Sequence, residues 1–205
     1  MKLTPTLFVA AAFATAVQAE PLTFDFKDPK GVNNVVFKLD APLESINGTA
    51  HGISGTVTVD PEKPENATGK IVVATDSLNV PNPMMKEHML GEQWLNAKAN
   101  PEITFEIKKI SDVEKSDNKG EAKVTGIFTL NGVSKEITVD AKVNYLPGRL
   151  ADRSPDKTPG DLLVIRSEFE IKRSDFNIQP GQHLDKVSDE IEIELAIAGA
   201  APKKS

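Results

Sequence analysis

Two alternating runs joined by a single Asn-Gly pair constrain this chain more than any other feature: EAKVTGIFTLNGVSKEITVDAKVNY, residues 121–145. Before the pair, Ala122, Val124, Phe128 and Leu130 take one side, with Lys123, Thr125 and Thr129 opposed. After it, Ile137, Val139, Ala141, Val143 and Tyr145 alternate with Glu136, Thr138, Asp140, Lys142 and Asn144. Successive strand side chains point to opposite faces, so each run has one dry and one wet face. Asn131-Gly132 suits a two-residue type I′ turn, whose central residues both need positive φ. The stretch predicts a long, one-sided antiparallel hairpin. Strands of this kind can close around an apolar interior.

Further segments repeat the pattern. Leu22, Phe24 and Phe26 form one alternating set, and Val35, Phe37 and Leu39 a second. Val57 with Val59, then Ile71 with Val73, mark two more. Ile103, Phe105 and Ile107 follow, and Leu163, Ile165, Phe169 and Ile171 come after the hairpin. Ile191, Ile193, Leu195 and Ile197 complete the series. Between them, residues 28–31 and 61–66 read as turns, and a loop carries Asn47-Gly48. Residues 111–120 read as a polar connection, 146–161 as a polar loop and 199–205 as a loose tail. Eight or nine evenly spaced strands predict an all-β sandwich or barrel. One helix interrupts them: Asn82 caps, Pro83 suits the first position, and residues 84–95 continue with only Gly91 as a weak point. Met84, Met85, His88, Met89 and Leu95 share one face of it, beside Trp94.

Residues 1–19 read as a cleavable signal peptide: Lys2, an apolar run from Leu7 to Val17, and Val17-Gln18-Ala19 before the expected cut at Glu20. The run is too short to span a bilayer. The expected mature product is therefore a single domain, 20–205, exported to a bacterial periplasm. The chain has no cysteine, which excludes disulfides, thiolate metal sites, cysteine nucleophiles and a lipidated cysteine. Its 30 acidic and 24 basic residues give a net charge of −6, and loss of Lys2 makes it more negative. An acidic surface disfavours nucleic acid and stable membrane anchoring.

No motif calls for catalysis. There is no Gly-x-Ser-x-Gly elbow, and Gly52-Ile53-Ser54-Gly55 lacks the lysine and helix of a phosphate loop. His51, His88 and His183 are far apart along the chain, so no histidine and carboxylate metal set is expected. Glu190, Glu192 and Glu194 fall on the wet face of a strand. The inward positions instead form an uncharged set: Val35, Phe37, Leu39, Val57, Ile71, Val73, Ile103, Phe105, Val124, Phe128, Ile137, Val139, Phe169, Ile193 and Leu195. Ala122, Gly126 and Ala141 are small members of the same faces and hint at spare volume. Periodicity alone leaves two readings open, a filled core or the wall of an apolar ligand cavity. Met84, Met85 and Met89, with Trp94, are either a yielding lid over such a cavity or a plug for one barrel end. Arg173 and Asp175 read as a structural pair, or Arg173 as the partner of a ligand headgroup.

Three segments resemble the YceI-like family. Pro101, Ile103 and Phe105 match its Pro-x-Ile-x-Phe strand. Gly126, Phe128, Thr129, Leu130, Gly132, Val133, Ser134 and Lys135 match its hairpin motif, and Arg173, Asp175 and Phe176 its Arg-x-Asp-Phe element. The chain departs from the family pattern at Lys86-Glu87, where an Arg-Asp pair is usual. It departs again at Asn177, where glycine is usual, and in having only His51 near the first strands. The resemblance implies an antiparallel lipocalin-like barrel of about eight strands, with the helix inserted near its mouth. It implies a secreted, non-enzymatic carrier that sequesters a polyisoprenoid or similar lipid, such as a quinone or polyprenyl tail. No other cofactor is expected. The ligand set would be the inward residues above plus Met84, Met85, Met89, Trp94, Arg173 and Phe176. A second reading is an interaction or stress module with a filled barrel, acting through a partner such as a respiratory membrane protein.

Overall fold

The computed structural model describes residues 20–203, so the predicted leader lies outside the described residues. Ten strands make one antiparallel sheet: β1 (Leu22–Asp25), β2 (Asn34–Asp40), β3 (Ser45–Ala50), β4 (Ile53–Asp60), β5 (Lys63–Ala74), β6 (Glu102–Ser116), β7 (Lys119–Leu130), β8 (Val133–Leu146), β9 (Gly160–Lys172) and β10 (Glu190–Pro202). Eight of them close a ring, β1-β4-β5-β6-β7-β8-β9-β10, because β1 pairs with β4 on one side and with β10 on the other. The closing contact is Asp25↔Ala200. The first half of β10 pairs instead with β2, from Glu192↔Lys38 to Ala196↔Asn34. There β2 and β3 take over the wall, and Thr49 bridges Asn79 beyond β3. The expected lipocalin-like all-β barrel is present.

The Asn131-Gly132 turn has φ of 51° and 72°, the two positive values a type I′ turn needs. It joins β7 to β8 in unbroken register from Leu130↔Val133 to Lys119↔Asn144. Several boundaries differ from the sequence reading. The Asn47-Gly48 segment is strand β3, not a loop, because a glycine is needed where the Phe37 ring covers it; a Cβ at Gly48 would lie 2.1 Å from that ring. Pro64 and its neighbours belong to β5, whose pairing to β6 begins only at Lys70, so the missing proline N–H leaves no ladder bond unmade. Residues 111–116 extend β6, and β7 returns at once through Asp117-Asn118. Register shifts after Ile107 and Ser111, with Asp112 at φ 52°, break the alternation that would have revealed the strand. Residues 199–202 are not a loose tail; they are the end of β10 and carry the closing contact.

The main helix, α1 (Pro83–Leu90), is shorter than expected and ends at Gly91. Its start is as predicted: the Asn82 side chain accepts from the amides of Met84 at 3.0 Å and Met85 at 3.2 Å. A single turn, α2 (Leu150–Arg153), lies within the predicted polar loop. Buried residues form two clusters. One, with Phe37, Leu39, Phe128, Leu130, Ile171 and Phe176, sits toward the α1 end. The other, with Phe24, Phe26, Val57, Val59, Leu163 and Ile197, sits toward the opposite end.

Candidate ligand cavity

The interior of the ring is hollow. A cavity of about 990 Å³ runs the length of the barrel. At the α1 end its rim includes Glu44, Asn82, Met84, His88, His183 and Lys186. At the far end it meets the hairpin tips, with Pro61, Glu62, Lys115, Asp117, Lys119 and Glu121. Between the rims the wall is aliphatic and aromatic apart from Thr104, Ser167 and Arg173. At roughly 30 Å³ for a water-sized group, the space holds about thirty chain atoms, at the upper end of ordinary ligand pockets.

The cavity stays open because small side chains line up across three strands. Ala122 pairs with Ala141, and Ala141 with Ser167, on β7, β8 and β9. All three face the void. Ser167 is almost fully buried, and its hydroxyl donates to the Asp140 carbonyl at 2.6 Å, so it adds no unpaired polar group to the wall. Gly126 contributes no space. The Phe105 ring lies over it, and a Cβ there would be 2.5 Å from that ring.

Of the residues expected to meet a ligand, all but Ile137 and Phe176 line the cavity. Ile137 packs half-buried against the core at the α1 end. Phe176 is 1% exposed and stands edge-on to Phe128, with ring centroids 5.5 Å apart. It braces the wall and does not face the void. The methionines both line the mouth and pack on the core below it: Met85 and Met89 are half-buried there, while Met84 is 66% exposed. Residues outside the expected set also line the void. Ile107, Ile165 and Ile191 lie on strands the alternation identified. Leu78 and Val187 are loop residues and Ser167 is polar, so no sequence signal marks them.

Arg173 touches the cavity but is not free to hold a headgroup. It is 1% exposed, and all five of its N–H donors meet backbone carbonyls. Nε donates to Ser188 at 3.0 Å, Nη1 to Ile178 at 2.8 Å and to Gln179, and Nη2 to Val187 at 3.1 Å and to Gln182. Burial draws its pKa down, and the nearby Asp189 opposes the shift. The guanidinium lies 5.8 Å from the centroid of Trp94, whose other neighbour is His183, stacked with ring centroids 6.0 Å apart. The expected pair with Asp175 does not form either. Asp175 meets Lys135 at 3.3 Å across the barrel rim. Arg173 thus organises residues 177–188 into one wall of the mouth. Asn177, in place of the usual glycine, has φ of 56°; asparagine is among the few non-glycine residues that tolerate this region.

At the far end, Lys115 and Glu62 form a 3.0 Å ion pair between the β6–β7 and β4–β5 hairpins. Tyr145 lines the same end and donates to Asp161 at 2.8 Å. Burial, then that hydrogen bond, pushes its phenol up to about 12. Among the described residues, no group of three or more His, Asp or Glu side chains is placed to hold a metal ion.

Comparison with known proteins agrees with this architecture. A Salmonella arizonae protein, "Protein YceI", is 29% identical over 159 residues, covering 76% of this chain and 74% of that protein. A Campylobacter jejuni YceI protein of known structure is 27% identical, with a TM-score of 0.60 over 77% of this chain and 85% of that one. Two solved structures share the fold at lower identity. Burkholderia cenocepacia BcnA is 23% identical, with a TM-score of 0.66 over 81% of this chain and 95% of that one. A domain from Saccharophagus degradans described as polyisoprenoid binding is 12% identical, with a TM-score of 0.63 over 89% of this chain and all of that one. The YceI-like domain profile matches residues 26–198, nearly the whole of the barrel, and the chain belongs to the YceI-like family.

Proposed function

We propose that this protein is a periplasmic carrier that sequesters an isoprenoid, or a lipid with a similarly long apolar tail, inside its barrel. The observation that carries the proposal is the 990 Å³ void walled by aliphatic and aromatic side chains. A filled interaction module has no use for such a space, and every angstrom of it exposes apolar wall that a hydrocarbon would cover. Each buried methylene contributes roughly 0.8 kcal/mol. A tail of about thirty carbons would gain on the order of 24 kcal/mol gross. Ordering the chain takes back a large part, since real complexes saturate near 18–21 kcal/mol. No headgroup contact is required for tight binding.

The solved domain described as polyisoprenoid binding shares the barrel fold, which supports this class of ligand. The alanine and serine belt makes the tail the recognised part. The half-buried methionines of α1 and the loop that Arg173 organises flank the mouth through which the tail would pass. The experiment is organic extraction of protein purified from its own cell envelope, followed by mass spectrometry. The expected result is one long-chain apolar lipid per protein. Recovery of no lipid, with no uptake of a fluorescent isoprenoid analogue by the extracted protein, removes the proposal.

A further inference from the structure

Helix α1 carries donor atoms that an apolar lid does not need. Met85, His88 and Met89 stand at i, i+3 and i+4, a spacing that makes side chains neighbours on a helix, with Cβ atoms about 5–6 Å apart. All three line the mouth of the cavity, together with Trp94 and His183. Leucines would serve a purely hydrocarbon-facing rim equally well. Thioether sulfur is a soft donor and imidazole a borderline one, and copper(I) is among the ions such soft ligands suit. Harder ions find no set of carboxylates and imidazoles among the described residues. Neutral ligands would leave a copper(I) ion a single positive charge, and the Glu44 carboxylate shares the same rim. The flexible thioethers reach irregular geometries without backbone movement.

We propose that Met85, His88 and Met89 form a copper(I) site at the mouth of the barrel. The site is independent of the lipid reading, so either can fail alone. The test titrates the lipid-extracted protein with copper(I) without oxygen, in competition with the chelator bicinchoninate. The protein is expected to withdraw one equivalent. Emission from Trp94, the single tryptophan, is expected to reach its end point at the same equivalence. A Met85→Leu/Met89→Leu variant keeps the volume and apolarity of the mouth. It is expected to bind copper(I) at least about tenfold more weakly, the lower end of what losing even an indirect support of a metal ligand costs. His88→Asn is expected to do the same, with each variant staying within about 1.5 kcal/mol of the wild-type stability. Failure of the wild-type protein to compete with the chelator, or equal affinity in the wild type and both variants, overturns the proposal.

Discussion

Replacing Ala141 by phenylalanine separates a hollow barrel from a solid one by the sign of a stability change. Ala141 is the centre of the row that runs from Ala122 to Ser167, and its side chain faces the void. The added ring takes roughly 180 Å³, at about 30 Å³ for each of its six carbons. That is less than a fifth of the 990 Å³ available. Full burial of a phenylalanine is worth about 1.5–3 kcal/mol; a ring resting on one wall of a cavity realises about 1 kcal/mol of it. In a domain of this size that raises the melting temperature by about 2–4 °C. In a close-packed core the same ring would cost about 1–3 kcal/mol, and melting would move the other way. The ring also displaces about six methylenes of any tail that fills the cavity, a gross loss near 5 kcal/mol. A tail can leave part of its length outside, so the expected net effect is a weakening of at least about 100-fold, or 2.7 kcal/mol. Thermal melts of lipid-extracted protein and titration with a fluorescent isoprenoid analogue measure both quantities. A variant destabilised by more than about 1 kcal/mol that still takes up the analogue normally would mean that Ala141 sits in a packed core and the tail binds elsewhere.

Three further outcomes follow from the structure. Arg173→Lys replaces five donors with three and strands buried carbonyls of residues 178–188, at about 1–3 kcal/mol for each unpaired group; urea melts should show a loss of about 2–5 kcal/mol. Gly126→Ala puts a Cβ 2.6 Å from the Glu106 carbonyl, which cannot turn away as the Phe105 ring can. It should cost about 1–3 kcal/mol in the same assay. Tyr145 is the single tyrosine, so phenolate absorbance follows it alone; its midpoint should fall near 12. Its raised folded pKa means the contribution is complete below the ordinary phenol range and is lost as pH climbs toward 12. Tyr145→Phe should flatten that part of the stability profile.

The hairpin around Asn131-Gly132 was legible because a turn that demands two positive φ values and a strict period of two leave few alternatives. The helix cap at Asn82 was legible for the same local reason. What escaped depends on partners distant in sequence. Gly48 looks like a turn residue until Phe37 is placed over it. The polar second half of β6 keeps its strand only because β7 pairs with it across two register shifts. Arg173 is the clearest case in the site. Its neighbour Asp175 suggested a local pair, whereas its partners are carbonyls supplied by a loop that folds back around it. Alternation found the wall of the cavity but not its width. Ala122 and Ala141 hinted at that width and their pairing follows from the hairpin, but Ser167, which completes the row, is polar and is brought beside them only by the β8–β9 register.

A hollow barrel that binds by covering its apolar wall must respond to the length of the chain it takes up. Lipid-extracted protein should be titrated with a series of polyprenyl tails of increasing length. Affinity is expected to climb with each added carbon, by up to about fourfold per methylene, and to level off once the tail reaches about thirty atoms and the cavity is full. Affinity that does not depend on length, or no binding at any length, would contradict the proposal.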